Sequence, residues 1–212
     1  MQPTKAKAIE DGSISYSYGC QTVNNLYKLW KQLSHDKSIE PVLTLTLAIS
    51  ITANDLMESS LSARLSVTGE GNQEIQFASK AACRTLALRL FEQREKLSNY
   101  KFVIRKAAED QCFAIDFEPY EKIYASSKKD LLYISRLSVT RNEGGHYSTD
   151  HKQFINRIDE IEPVRLIKAA SSLINCYKEL MILLANLTVF AVEKVGRKDV
   201  LKMVFDSNTI DL

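Results

Sequence analysis

Hydrophobic and polar residues alternate most regularly along residues 42–53. Leucine and isoleucine occupy every second position from Leu43 to Ile51, and threonine, serine or alanine occupy the positions between them. Alternation of this kind is typical of a strand with one buried face. The segment that follows Pro41 is therefore predicted to be a long, half-buried strand.

Shorter patterns on both sides of this segment predict a first structural unit. Apolar residues such as Leu26 and Trp30 recur at helical spacing before it. The segment 69–72 after it contains glycine and asparagine, which adopt positive φ readily and predict a tight turn. Ser79 can cap a second helix. The predicted elements are helices at 20–33 and 80–97 and strands at 42–53, 61–68 and 74–78.

The residues that follow predict a second unit of the same kind. Strands are expected at 100–106, 112–117 and 121–125. The segment 126–141 has two interpretations, a serine-capped helix or a turn followed by a fourth strand at 131–140. Tyr133 and Val139 favour the strand, because aromatic and β-branched residues suit a pleated surface.

The two units align at a constant offset. This offset places Leu65 on Phe113, Val67 on Ile115 and Ile75 on Ile123. A duplicated unit would give such an offset, and so would a strand pattern that the two segments share by chance.

The remaining residues predict helices. After a polar loop at 142–152, an amphipathic segment covers 153–161. A long helix at 163–195 starts at Pro163, a favourable first-turn residue, and ends at Gly196. A short helix at 198–205 follows. The predicted fold class is α+β, with two consecutive antiparallel β-meander-plus-helix units and a long C-terminal helical element. The organisation is a flexible tail at 1–12, units at 13–98 and 99–195, and a C-terminal tail at 196–212.

Composition is that of an ordinary globular protein. The 212 residues are 45% hydrophobic and 25% charged, and the net charge is only +2, which excludes a strongly polycationic tail. The apolar stretch 180–192 is shorter than the roughly 20 residues that span a bilayer, so no membrane role is expected. Four dispersed cysteines indicate reduced core thiols and a reducing, cytoplasmic compartment. They are Cys20, Cys83, Cys112 and Cys176.

The chain carries none of the phosphate-binding, dinucleotide-binding, hydrolase or zinc-protease motifs that sequence alone can identify. His35 closes a predicted helix, and His146 and His151 lie in the polar loop without further ligands at a suitable spacing. The sequence therefore predicts a protein that is not an enzyme and has neither a metal nor a cofactor.

Basic residues mark the candidate binding site. Strand alternation would place several of them on one face of the second sheet together with an aromatic ring, where they could pair with phosphates and stack a base. Other lysines begin the predicted helices after Ser79 and Ser127. The predicted nucleic-acid contacts are Lys80, Arg84, Lys101, Arg105, Lys122, Tyr124, Lys128, Lys129 and Arg136.

Two resemblances support this interpretation. The helix–three-strand–helix order of residues 20–97, with Lys80 following Ser79, resembles double-stranded RNA-binding domains, whose lysines grip phosphates at a helix start. The two consecutive meanders over residues 40–195 resemble the Whirly and PUR-repeat single-strand-binding folds, to which the compact RNA-binding proteins of nucleus-forming jumbo phages are similar. The second resemblance implies a viral protein in an infected cell.

The function expected from these patterns is non-catalytic binding of RNA or single-stranded nucleic acid. The alternative is a protein–protein adaptor or structural subunit. The predicted helix is apolar nearly all round at 180–192, and such a helix must be buried on several sides. A second copy of the chain could cover it, which predicts a homo-oligomer.

Overall fold

Helices account for every regular element in the described part of the chain. The computed structural model describes residues 5–67, 73–137 and 151–206. The predicted α+β class is therefore wrong, and the protein is all-α over these residues. The helices are α1 (Lys5–Leu33), α2 (Glu40–Val67), α3 (Gln73–Asp110), α4 (Glu118–Ser126), α5 (Lys128–Arg136), α6 (His151–Asp159), α7 (Pro163–Lys194) and α8 (Lys198–Asp206).

The segment with the clearest alternation forms the first half of α2. Its buried residues Val42, Thr46, Ile49 and Ala53 follow helical spacing. The hydroxyls of Thr46 and Thr52 donate to the carbonyl four residues earlier, at 2.8 and 3.0 Å, so a helix satisfies them. Helices α1, α3 and α7 all pack against α2. Its apolar residues therefore occupy several faces, and no single helical stripe is visible in the sequence.

The other predicted strands are wrong for related reasons. Residues 61–67 end α2, residues 74–78 and 100–106 belong to α3, and residues 121–125 belong to α4. Residues 112–117 connect α3 to α4 without regular structure. Residues 128–136 of the ambiguous segment form α5, so the helical interpretation is correct there and the predicted fourth strand is wrong; residues 138–141 lie outside the described residues. The Whirly-like and double-stranded RNA-binding-domain resemblances, which require these strands, are rejected with them.

The apparent duplication also finds no structural counterpart. Leu65 lies near the end of α2, whereas Phe113 lies in a connection. Ile75 lies in the first turn of the long helix α3, whereas Ile123 lies within the short helix α4. Aligned residues thus occupy unlike elements.

The predicted helices are confirmed, although two are longer than expected. Helix α1 begins at Lys5, within the predicted tail, and α3 continues to Asp110. Helix α3 therefore runs through residues 98 and 99, where the first predicted unit meets the second. The predicted turn at 69–72 and the loop residues 142–150, with His146, lie outside the described residues.

Helix α7 is the central element of the bundle. Helices α2, α3, α4 and α5 pack against it. The Thr46 and Thr188 hydroxyls lie 2.9 Å apart, and Arg64 Nη2 donates to Ser171 Oγ at 2.8 Å. Helices α2 and α7 are therefore antiparallel. Length and composition alone would allow α7 to cross a membrane. A buried core helix passes the same test, so this is weak evidence for a span.

Helix α3 runs parallel to α7. The Tyr177 hydroxyl donates to the Gln93 carbonyl at 3.0 Å, and Lys194 Nζ donates to the Gln111 carbonyl at 2.9 Å. Both helices therefore end at the same end of the bundle, where α2 begins.

Helix α1 lies on the outside of the bundle. Within the described ranges it packs against α2 and α8. Gly19 faces α2 so closely that an added Cβ would overlap Asn54 Oδ1 and lie 2.7 Å from Met57 Cε. The absence of a side chain at this residue lets the two helix backbones approach.

Helices α3 and α7 end in the same hydrogen-bonded motif. The second residue after each helix has positive φ, +58° at Cys112 and +74° at Gly196. The next N–H bonds back to a carbonyl five residues earlier, from Phe113 to Ala108 at 2.9 Å and from Arg197 to Val192 at 3.1 Å. This is the Schellman arrangement, in which glycine is the usual residue at positive φ. Cys112 therefore adopts a strained conformation.

We expect Cys112→Gly to stabilise the protein by about 0.5–1 kcal/mol, because glycine relieves the strain and the exposed thiol contributes little packing. Gly196→Ala should destabilise it by about 1–2 kcal/mol, since alanine meets the same penalty at positive φ. Urea denaturation of both variants measures these changes. A loss of stability in Cys112→Gly would show that the cysteine side chain contributes more than its strain costs.

Candidate functional site

A pocket of about 620 Å³ opens at the end of the bundle where α2 begins and α3 and α7 end. Its volume falls within the range of roughly 300–1,000 Å³ that small-molecule sites occupy. Its walls come from the turn before α2 and from all three helix termini. The lining residues are Lys37, Ser38, Pro41, Val42, Leu45, Val103, Lys106, Ala107, Asp110, Gln111, Lys194 and Val195.

Two antiparallel helices provide the apolar walls. Pro41 and Leu45 are four residues apart on α2, and Val103 and Ala107 are four residues apart on α3. Residues at this spacing share one face of a helix. Ser79 Oγ of α3 donates to the Ser66 carbonyl at the far end of α2, which confirms that the two helices run in opposite directions.

Hydrogen bonds fix the polar end of the pocket. Gln111 Nε2 donates to the Ser38 carbonyl at 2.6 Å, and the Gln111 carbonyl accepts from Lys194 Nζ at 2.9 Å. The ammonium group thereby satisfies a carbonyl at the negative end of α3. These two bonds join the turn before α2 to the ends of α3 and α7. We call Ser38, Gln111 and Lys194 the terminal clasp.

Lys37 and Lys106 are the two cations of the pocket outside the clasp. Neither forms an ion pair with a carboxylate over residues 5–67, 73–137 and 151–206. Asp110 is the single acidic lining residue, so the lining carries a net charge of +2. The local field therefore favours an anion.

Apart from the helix dipole, the start of α2 adds little to the attraction of an anion. The Glu40 and Leu43 N–H groups already donate to the Asp36 and Ile39 carbonyls. The Glu40 carboxylate accepts from Thr44 Oγ1 at 2.6 Å and does not line the pocket. Attraction for an anion therefore comes chiefly from Lys37 and Lys106.

The predicted nucleic-acid residues lie elsewhere and are divided among helices. Lys80 near the start of α3 forms an ion pair with Asp159 of α6, with Nζ and Oδ1 2.5 Å apart. Arg84 lies half-buried one turn further along α3. Lys128, Lys129 and Arg136 are exposed on α5.

A second group of predicted residues does come together, on helices and not on a sheet. Lys101 Nζ lies 2.5 Å from a carboxylate oxygen of Glu121. The cationic groups of Lys101 and Arg105 lie 5.5 and 5.4 Å from the centre of the Phe117 ring. These contacts hold α4 and the connection before it against α3. The cationic groups of Lys101 and Arg105 are therefore already engaged and are less available to a phosphate.

Lys122 and Tyr124 lie on α4 beside this group. Lys122 pairs with Glu118 at 2.7 Å on the same helix. Tyr124 is 39% exposed, and its ring centre lies 5.9 Å from that of Tyr120. The basic sheet face expected from the sequence does not exist among the described residues. Nucleic-acid binding by the individual residues stays a prediction.

No protein-family model, curated protein or solved structure matches this chain. A functional argument therefore rests on geometry and chemistry. The pocket combines concave shape, apolar walls and cations without ion pairs. A second pocket is smaller, about 280 Å³, and its lining, with Asp11, Arg64 and Lys178, carries a net charge of +1.

The cysteines add no nucleophile to the pocket. Cys83 and Cys176 are buried, and burial raises the pKa of both thiols, that of Cys83 to about 11, so both are protonated at neutral pH. Cys20 is half-buried and Cys112 is exposed, so the expectation of four core thiols is wrong for these two. Within the described residues, no group of three histidine, cysteine or acidic side chains could hold a metal.

The sequence contained only part of the signal for this pocket. Lys106 was assigned to a strand, so its neighbours one turn away, Val103 and Asp110, could not be recognised as one face. Lys194 near a helix end was visible as a terminal cation. Its bond to Gln111 depends on the parallel packing of α3 and α7, which no local pattern encodes.

Proposed function

We propose that this protein is a non-catalytic binding protein that takes an anionic ligand in the pocket between α2 and α3. The observation that carries the proposal is the presence of two cations without ion pairs, Lys37 and Lys106, in the lining of a concave site with apolar walls. The lining offers charge and shape but no activated nucleophile, so binding is the function it supports best.

Neutralising both cations should weaken binding strongly. We expect Lys37→Gln/Lys106→Gln to raise the Kd for octanoate at least about ten-fold, because each ammonium provides a charge-assisted contact. Isothermal titration calorimetry on the full chain measures the affinity, and circular dichroism checks that the variant remains folded. Asp110→Asn should lower the Kd by about two- to five-fold, since it removes the one opposing charge.

The control changes the same charge at another surface. Lys128→Gln/Lys129→Gln alters two exposed lysines at the start of α5. This variant should bind octanoate like the unchanged protein. An equal loss in both double variants would show that overall charge, and not the pocket, attracts the anion, and would contradict the proposal.

The prediction of nucleic-acid binding requires a different set of binding results. Fluorescence anisotropy with labelled single-stranded RNA across a salt series would show binding that weakens as salt rises. That binding would decrease in Lys128→Gln/Lys129→Gln and persist in the pocket variant. This result, together with no binding of octanoate, would replace the proposed function.

A further inference from the structure

We infer that the ligand is an amphiphile with one carboxylate head and a hydrocarbon chain. This inference rests on the proposed function and narrows it to a class of ligand. It follows from the size of the pocket and from the placement of its polar and apolar residues.

The pocket is much too large for a bare anion. Its 620 Å³ equals the share of liquid volume of roughly twenty water molecules, each about 30 Å³. A small inorganic anion between the lysines would leave the remaining space to water against apolar side chains. A hydrocarbon chain would displace that water and bury the apolar walls, which is favourable in proportion to the area covered.

Most polar lining residues lie near the helix termini, where Pro41 and Val195 also lie, and Lys106 lies between Val103 and Ala107 on α3. Lys37, Ser38 and Gln111 belong to the segments that flank the helix termini. Leu45 lies one turn further into α2 than Pro41, and Val103 lies one turn further from the end of α3 than Ala107. Because α2 and α3 are antiparallel, Leu45 and Val103 lie on the same side, away from the termini. A head held by Lys37 and Lys106 therefore leaves Leu45, Val103 and Ala107 to contact its chain.

The lining charge selects the head group. Lysine ammonium groups act as compact point charges and impose no bidentate geometry. Lys106 lies four residues from Asp110 on α3, so both can face the same head. A carboxylate brings one negative charge to Lys37 and Lys106, whereas the second charge of a phosphate monoester would meet the carboxylate of Asp110.

The test is calorimetry on the full chain with a series of single compounds below their micelle concentrations. From hexanoate to decanoate, the Kd should fall about two- to four-fold per methylene, because each buried methylene favours binding. Octanol and octylammonium should bind at least about ten-fold more weakly than octanoate. Acetate should bind too weakly to measure.

Two variants separate the head from the chain. Val103→Thr keeps the shape of the side chain but makes it polar, so each added methylene of the ligand should lower the Kd by a smaller factor. Lys37→Gln/Lys106→Gln should raise the Kd of every carboxylate by a similar factor. The decrease in Kd for each added methylene should stay unchanged. Melting curves of both variants establish that they are folded before titration.

Each remaining outcome has a distinct meaning. If acetate binds as tightly as octanoate, the inference of an amphiphilic ligand is contradicted, and the proposed anion site still stands. Octyl phosphate that binds more tightly than octanoate would overturn the carboxylate head alone. Octylammonium that matches octanoate would overturn both the inference and the proposed function, as would a failure of every compound to bind.

Discussion

Replacing Leu180 by aspartate is expected to unfold the protein, whereas the same replacement at Ile182 should leave it folded. Both residues lie on α7, but Leu180 is fully buried and Ile182 is 54% exposed. Leu180→Asp removes a core side chain, at about 2–5 kcal/mol, and places a carboxyl group without a partner among apolar residues, which costs several more. Since small proteins are stable by only about 5–15 kcal/mol, the sum removes most or all of the stability.

Ile182→Asp should change the stability by no more than about 0.5 kcal/mol, as usual for surface substitutions. Urea denaturation and light scattering measure stability and oligomeric state together. These variants also test the alternative in which α7 joins copies of the chain. If Ile182→Asp dissociates an oligomer, the exposed face of α7 joins copies of the chain. If Leu180→Asp remains fully stable, the burial of Leu180 within its own chain would be contradicted.

Tyr177→Ala should destabilise the protein by about 3–5 kcal/mol, the usual cost of removing a large aromatic side chain from a core. Tyr177 is fully buried where α3 and α7 meet, and its ring packs edge-on against Tyr100 with ring centres 6.1 Å apart. Tyr177→Phe should cost only about 1 kcal/mol, because it keeps the ring and loses one hydrogen bond to the Gln93 carbonyl. Chemical denaturation of the two variants separates ring packing from the hydrogen bond. Equal losses would assign the stabilisation to the hydroxyl.

The sequence predicted helices well where one face of a helix is apolar or where an end is marked. Helix α7 starts at Pro163 and ends just before Gly196, almost as expected, since Pro suits a first turn and Gly suits positive φ. The pattern failed for α2, which is packed by several neighbours. Leucine and threonine at alternate positions look like a strand, although Thr46 is buried against Thr188 in a helix pair. Tertiary packing there outweighs the strand preference of the β-branched residues.

The candidate site was less predictable than the helices. Lys101 and Arg105 were expected near Lys122, and the structure brings both to the Phe117 ring just before α4, because residues four apart share one face of α3. Lys37, Lys106 and Lys194 belong to three separate segments. Their meeting depends on the antiparallel packing of α2 with α3 and the parallel packing of α3 with α7, and neither leaves a local signal in the sequence.

The three residues of the terminal clasp differ in how freely they can be substituted. Both of its bonds end on main-chain carbonyls, of Ser38 and of Gln111. Every amino acid carries that acceptor, so the side chain of residue 38 can vary without loss of the bond. The donors are side chains, and few residues can replace them, since position 111 needs an amide of glutamine length and position 194 needs a long cation. In related proteins, variation at residue 38 beside constant residues 111 and 194 would mark this end of the bundle as one retained unit.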